Sequence, residues 1–173
     1  MTLSERATAA AGHCPHCGAD LDGKRKGKPR SVPQHRRYFA LIRAAHSHWP
    51  ETHRFQPTSD EHMRKWLQAK AGYHIIRTVD TAGMDATAAI VAVAAELAAA
   101  DPIHFTSVRG AKFHIIESKS IDFDSLPHLA ACALFDAVAD TIRAETGLDA
   151  EAIMPPVRKP TSVKRELLAD VPI

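Results

Sequence analysis

His13-Cys14-Pro15-His16-Cys17-Gly18 is the densest run of ligating side chains in this 173-residue sequence. Two thiolates separated by two residues grip one zinc ion, and the glycine behind them permits the positive φ that turns backbone N–H groups toward the sulfurs. A closed structural site takes four ligands, and no second C-x-x-C pair follows. His35, 18 residues beyond Cys17, stands at second-knuckle distance, and His13 or His16 is available as a third ligand. Three readings of Cys14 and Cys17 therefore stay open: a zinc site completed locally or by a second subunit, an unmetallated pair, or a redox pair. The redox reading lacks a surrounding thioredoxin-like βαβ pattern. Cys132 lies among alanines and reads as a small buried hydrophobe.

The second constellation is cationic. Lys24, Arg25, Lys26, Lys28 and Arg30 lead into Gln34-His35-Arg36-Arg37. Arg36 and Arg43 are seven residues apart, two helical turns, so they project from one face while Phe39 and Ile42 turn toward a core. Gly23 and Gly27 suit a flexible arm that follows a phosphate backbone. The competing explanation is a solvated linker. The net charge of +2 conceals a strong asymmetry: residues 1–78 carry 14 Lys+Arg against 6 Asp+Glu, and residues 79–173 carry 8 against 14. Such a distribution points to an anionic partner for the N-terminal half, with nucleic acid the commonest.

Catalytic signals are weaker. Asp60 with Glu61 is explained by helix capping, and Asp122 with Asp124 by a turn. No Gly-rich phosphate-cradling loop is present. No catalytic residue is assigned, and a metal-dependent nuclease is the least favoured reading.

The elements that must position these groups follow from periodicity. Ser31 as N-cap and Pro33 in the first turn open a helix with Phe39, Ile42, Ala45 and Trp49 at helical spacing, and Pro50 stops it. Thr58 with Glu61 forms a capping box for a second helix, whose Met63, Trp66, Leu67 and Lys70 share a face until Gly72. Both tryptophans are expected in the core. Residues 73–79 read as a strand, and an Ala-rich helix runs from about Asp85 to Ala100. Strands over 103–108 and 112–118 flank Arg109-Gly110-Ala111 and should pair antiparallel. Ser125 caps a long helix with Leu126, Leu129, Ala133, Val138 and Ile142 on its core face, closed by Gly147.

The fold class is thus α+β: a small antiparallel sheet packed with about four helices, plus a basic Cys-containing N-terminal arm. Residues 1–29 form the knuckle and arm, 30–148 the core domain, and 149–173 a proline-containing tail that stays mobile or docks on a partner. Three cysteines make no disulfide framework, so a reducing compartment is expected. The N-terminus has no apolar h-region, and the most apolar run, Ala88 to Ala100, is 13 residues broken by Glu96, against the roughly 20 needed to cross a bilayer. The expectation is a cytoplasmic protein without a membrane.

Arg30-Ser31-x-x-Gln34-His35-Arg36, continuing into Tyr38-Phe39-Ala40-Leu41 with Trp49 eight residues later, resembles the start of a bacteriophage-encoded family of unknown function. The likeness runs on through Lys70-Ala71-Gly72-Tyr73 and Lys119-Ser120-Ile121-Asp122-Phe123. A more distant similarity is to the NinB (Orf) recombination mediators of lambdoid phages, which are dimeric and bind single-stranded DNA. The resemblance implies a homodimer, and it places Arg30, Gln34 and Arg36 near DNA. The expected function is a phage or prophage accessory protein that binds single-stranded DNA in recombination or replication. The alternative is a protein-interaction module that inhibits a host nucleic-acid enzyme, its basic patch meeting that enzyme's acidic surface.

Protein purified with zinc present should hold the metal, and Cys14→Ser with Cys17→Ser should abolish it. The core from residue 31 onward has its own apolar faces and should stay folded, as far-UV circular dichroism would show.

Overall fold

The helical spacing that follows Arg30 is realised as α1 (Val32–Ser47), whose inner face carries Tyr38, Leu41, Ile42 and Ala45 into the core. The computed structural model describes residues 32–122 and 126–154. Cys14, Cys17, Lys24, Arg25, Lys26, Lys28, Arg30 and the expected caps Ser31 and Ser125 lie outside the described residues. Trp49 is buried just beyond the end of α1, and its indole N–H donates to the Phe55 carbonyl (2.8 Å). That bond folds the connecting loop back, so that Phe55 stacks on Trp66 with centroids 4.4 Å apart.

The second helix, α2 (Asp60–Lys70), starts one residue later than the capping box predicts. Ser59, in extended conformation, is the N-cap: its hydroxyl accepts from the His62 N–H (3.1 Å). Thr58 instead meets the His62 ring, and the Glu61 carboxylate turns forward to Arg64. Met63, Trp66 and Leu67 are buried as the spacing requires. Lys70 reaches outward from the same side, its ammonium 5.3 Å over the Trp66 ring and 2.9 Å from Glu145.

Three strands form one sheet in the order β1 (His74–Asp80), β3 (Lys112–Ser118), β2 (Phe105–Arg109), antiparallel throughout. Ile76 and Phe105 both pair with Ile116 across the central strand. The β2–β3 hairpin closes on Arg109 opposite Lys112, and Gly110 at φ +59° supplies the left-handed turn residue. The first two strands sit one or two residues later than expected. Ile103 and His104 fall in the preceding loop, where Asp101 holds the Ile103 N–H (2.8 Å) and its carbonyl accepts from His104 Nδ1 (2.7 Å). Between β1 and β2 lies α3 (Ala86–Ala98), capped by Asp85, whose carboxylate accepts from the Ala88 N–H (2.9 Å).

The long helix is α4 (His128–Thr146), and its core face differs from the expected one. Leu126 is buried but precedes the helix, Leu129 is 65% exposed and Ala133 is exposed, while Ala131, Leu134, Phe135, Val138 and Ile142 face inward. The reason is angular. At about 100° per residue, Leu129 lies roughly half a turn of the wheel away from Val138, so the two cannot share a face. Gly147 at φ +74° ends the helix, its N–H donating to the Arg143 carbonyl (2.8 Å). The chain is still packed beyond it: one-turn α5 (Ala150–Ile153) buries Ala150, with Leu148, Ile153 and Met154 against the core.

Leu41, Met63, Leu67, Val138 and Ile142, from α1, α2 and α4, form the centre of the main cluster. Ion pairs tie its rim. Glu145 on α4 meets Lys70 and His53 (3.2 Å), and Lys65 on α2 meets Asp101 (2.5 Å). The Lys70 hydrogen bond holds the Glu145 carboxyl below its ordinary value of 4.5, against the opposing effect of burial. Glu61 and Asp101 are lowered likewise by Arg64 and Lys65. A carboxyl depressed in the folded state contributes stability that is present above its unfolded pKa and lost as pH falls toward the folded one. The contribution of these three carboxyls should therefore be lost, and the melting temperature fall, as pH drops below about 4.5. Glu145→Gln should make that fall shallower, as a thermal melt series would show.

Candidate nucleic-acid interface

The outward face of α1 is where the chain's basic signal meets described structure. Arg36 and Arg43 are both exposed and lie on one stripe, separated by about 10 Å of helix rise. Neither makes an ion pair among the described residues, and the helix itself contains no Asp or Glu to supply one. Several other cations are engaged: Arg64 with Glu61, Lys65 with Asp101, Lys70 with Glu145, Arg77 with Glu96 and Glu117, and Arg143 with Asp140 and Asp149. Arg54, Arg109, Lys112 and Lys119 share with Arg36 and Arg43 the lack of an ion pair among the described residues, but do not form a stripe on one helix. The guanidinium groups of Arg36 and Arg43 thus keep their donor forks facing solvent.

Two of the other candidate residues on this helix do not join the stripe. Gln34 is only 1% exposed, and its amide donates to Cys132 Sγ (2.9 Å) and to the His128 carbonyl (3.4 Å). It belongs to the inner row with Tyr38, Leu41 and Ala45, which follow it at four, seven and eleven residues. The expectation that Gln34 lies at DNA is therefore corrected: it is a core residue joining α1 to α4. Arg37 is half-buried, with its guanidinium 5.8 Å over the Phe135 ring, so it packs on α4 instead of lying on the open face. His35 sits between the two faces, its ring 4.7 Å from that of Phe39.

Beside Arg43 is a groove of about 350 Å³. Ala40 and Ala44 of α1, with His48 just beyond its end, form one wall, and Ile153 and Met154 form the opposite wall. His48 Nδ1–H donates to the Ala44 carbonyl (2.8 Å), which holds the ring at the end of the groove. This wall escapes sequence reasoning because residues 149–154 read as the start of a tail. The signal that could have found it is the apolar pair Ile153-Met154 after the glycine that closes α4.

The acidic residues weighed for catalysis are held by neighbours. Asp60 bonds the His46 ring (2.6 Å), Glu61 pairs with Arg64 and Lys65, and Asp122 accepts from the Ser120 hydroxyl (2.5 Å). Asp124 lies outside the described residues. Among the described residues no three His, Cys, Asp or Glu side chains are grouped to hold a metal ion, and no helix is long and apolar enough to cross a membrane.

Gln34→Ala should lower the melting temperature, the loss of a buried amide and its two bonds costing about 1–3 kcal/mol, while leaving the salt dependence of any nucleic-acid binding unchanged. Arg36→Ala should do the reverse. Paired thermal melts and binding titrations of the two variants check this.

Comparison with known proteins finds no matching family model, no matching curated protein and no matching solved structure.

Proposed function

We propose that the protein is a nucleic-acid-binding accessory protein, favouring single-stranded DNA, that acts in phage or prophage recombination or replication. The observation that carries this reading is the pair Arg36 and Arg43, free of carboxylate partners among the described residues, on the helix that directly follows the run Lys24 to Arg30 in sequence. Cations without carboxylate partners recognise phosphate without regard to base sequence, and release of counterions drives such binding. The preference for single strands comes from the resemblance to the NinB (Orf) recombination mediators. Zinc at Cys14 and Cys17, and phosphate contacts from Lys24, Arg25, Lys26, Lys28 and Arg30, belong to the same proposal on sequence grounds alone.

The test is a salt series with labelled single-stranded and duplex DNA. Replacing Arg36 and Arg43 together by Ala should weaken binding to every sequence and reduce the slope of log K against log salt by roughly 1.4 on single strands, at about 0.7 per phosphate contact. Folding should not change, because both side chains are exposed. Unaltered binding by the double variant overturns the reading. Negligible DNA affinity at physiological salt, with a host enzyme held tightly instead, would favour the interaction module. Cleavage of the DNA in Mg²⁺ would favour a nuclease.

A further inference from the structure

The helix α3 is built as an interior helix and placed on the outside. Its sequence, ATAAIVAVAAELA, contains one charged residue, Glu96, and that carboxylate turns back to Arg77 on β1 (3.2 Å). The outward face is left with Thr87, Ile90, Val91, Ala94, Ala95 and Ala98, all exposed and none charged. Ile90 and Val91 are 68% and 63% exposed, and no residue of the helix is fully buried. A surface helix ordinarily turns charged or polar residues to water, and one that is apolar all round is a covered helix.

A second observation lies alongside. Between α3 and the β2–β3 hairpin runs an apolar groove of about 390 Å³, lined by Ile90, Val93 and Leu97 on one side and by Val108 and Phe113 on the other. Val108 is 66% exposed. Ridge and groove thus stand next to each other on one face of one molecule, the arrangement a twofold axis requires, since each copy must offer the knob that fills its partner's hole.

We propose that this face is the interface of a homodimer, in which Ile90 and Val91 of each copy enter the groove of the other. The area supports a second copy. Met84, Ile90, Val91 and Val108 each expose on the order of 100 Å² of apolar surface, and with the outward alanines the patch reaches roughly 500–600 Å² per copy. A pair would bury about 1,000–1,200 Å², which clears the roughly 1,000 Å² that a biological interface needs and corresponds to a weak dimer below the standard size. The chemistry favours a second copy over other partners. Lys112 is the one cation among the residues lining the groove, too little charge to hold a phosphate backbone, and a membrane-surface helix carries a Lys/Arg-rich polar face that α3 lacks. Alanines at 94, 95 and 98 let two helices approach closely, as a symmetric helix pair needs.

The experiment is sedimentation velocity of the full chain across the micromolar range, with a Thr87→Glu variant. Thr87 is in the first turn of α3, where a carboxylate favours the helix N-terminus, so a loss of association cannot come from a weakened helix. Wild-type protein should sediment at twice the mass of the chain, and the variant as a monomer with an unchanged far-UV spectrum. The variant should also bind the apolar dye anilinonaphthalene sulfonate at least several-fold more strongly than the wild type, because the groove is uncovered. A wild-type monomer throughout the range overturns the proposal, as does a dimer that Thr87→Glu leaves intact. A monomeric wild type that binds the dye as strongly as the variant would mark the groove as a site for a small apolar molecule.

Discussion

Packing of α1, α2 and α4 around Leu41, Met63, Leu67, Val138 and Ile142 is the constraint on which the remaining features depend. Each helix gives one face to that cluster, and an α-helix has only 360° to divide. Once Gln34, Tyr38, Leu41 and Ala45 of α1 turn inward, Arg36 and Arg43 have no direction but solvent. The core therefore sets the geometry of the cationic stripe without contacting it.

Charge is distributed unevenly over this frame. Around α2 nearly every cation finds a carboxylate: Lys70 clasps Glu145 on α4, and Lys65 reaches Asp101 before β2. Exposed pairs of this kind contribute little individually. Their value here is positional, since they link α2 to α4 and to the sheet. The α1 stripe differs because its helix contains no carboxylate, so its charge stays available to an external anion.

The sheet and α3 form a smaller second layer. Val79 and Ile115 are buried outside the main cluster, on the strand face that also holds Arg77. Arg77 bridges Glu117 on β3 (3.0 Å) and Glu96 on α3, which neutralises the one charge of that helix and draws it onto the sheet. The cost of satisfying Arg77 in this way is an outward helix face with nothing polar on it except Thr87.

The α+β class, the antiparallel hairpin, the termini set by Asp85, Gly110 and Gly147, and the burial of both tryptophans were legible in the sequence, because each depends on local spacing or on one residue's backbone freedom. The exposure of Arg36 and Arg43 was legible for the same reason. Other features were decided by tertiary structure. Gln34 is polar and lies in a basic run, yet the place of Cys132 and His128, nearly a hundred residues away, makes it a core residue. Arg37 is next to Arg36 in sequence, but the ring of Phe135 on α4 takes it from the open face. The face of α4 is misread for two reasons: the helical angle alone already separates Leu129 from Val138, and since both sides carry apolar residues, the partner helices choose which of them is covered. Periodicity shows that a helix has an apolar side; which side is covered depends on the elements that lie against it, and those meet it only when the chain has folded.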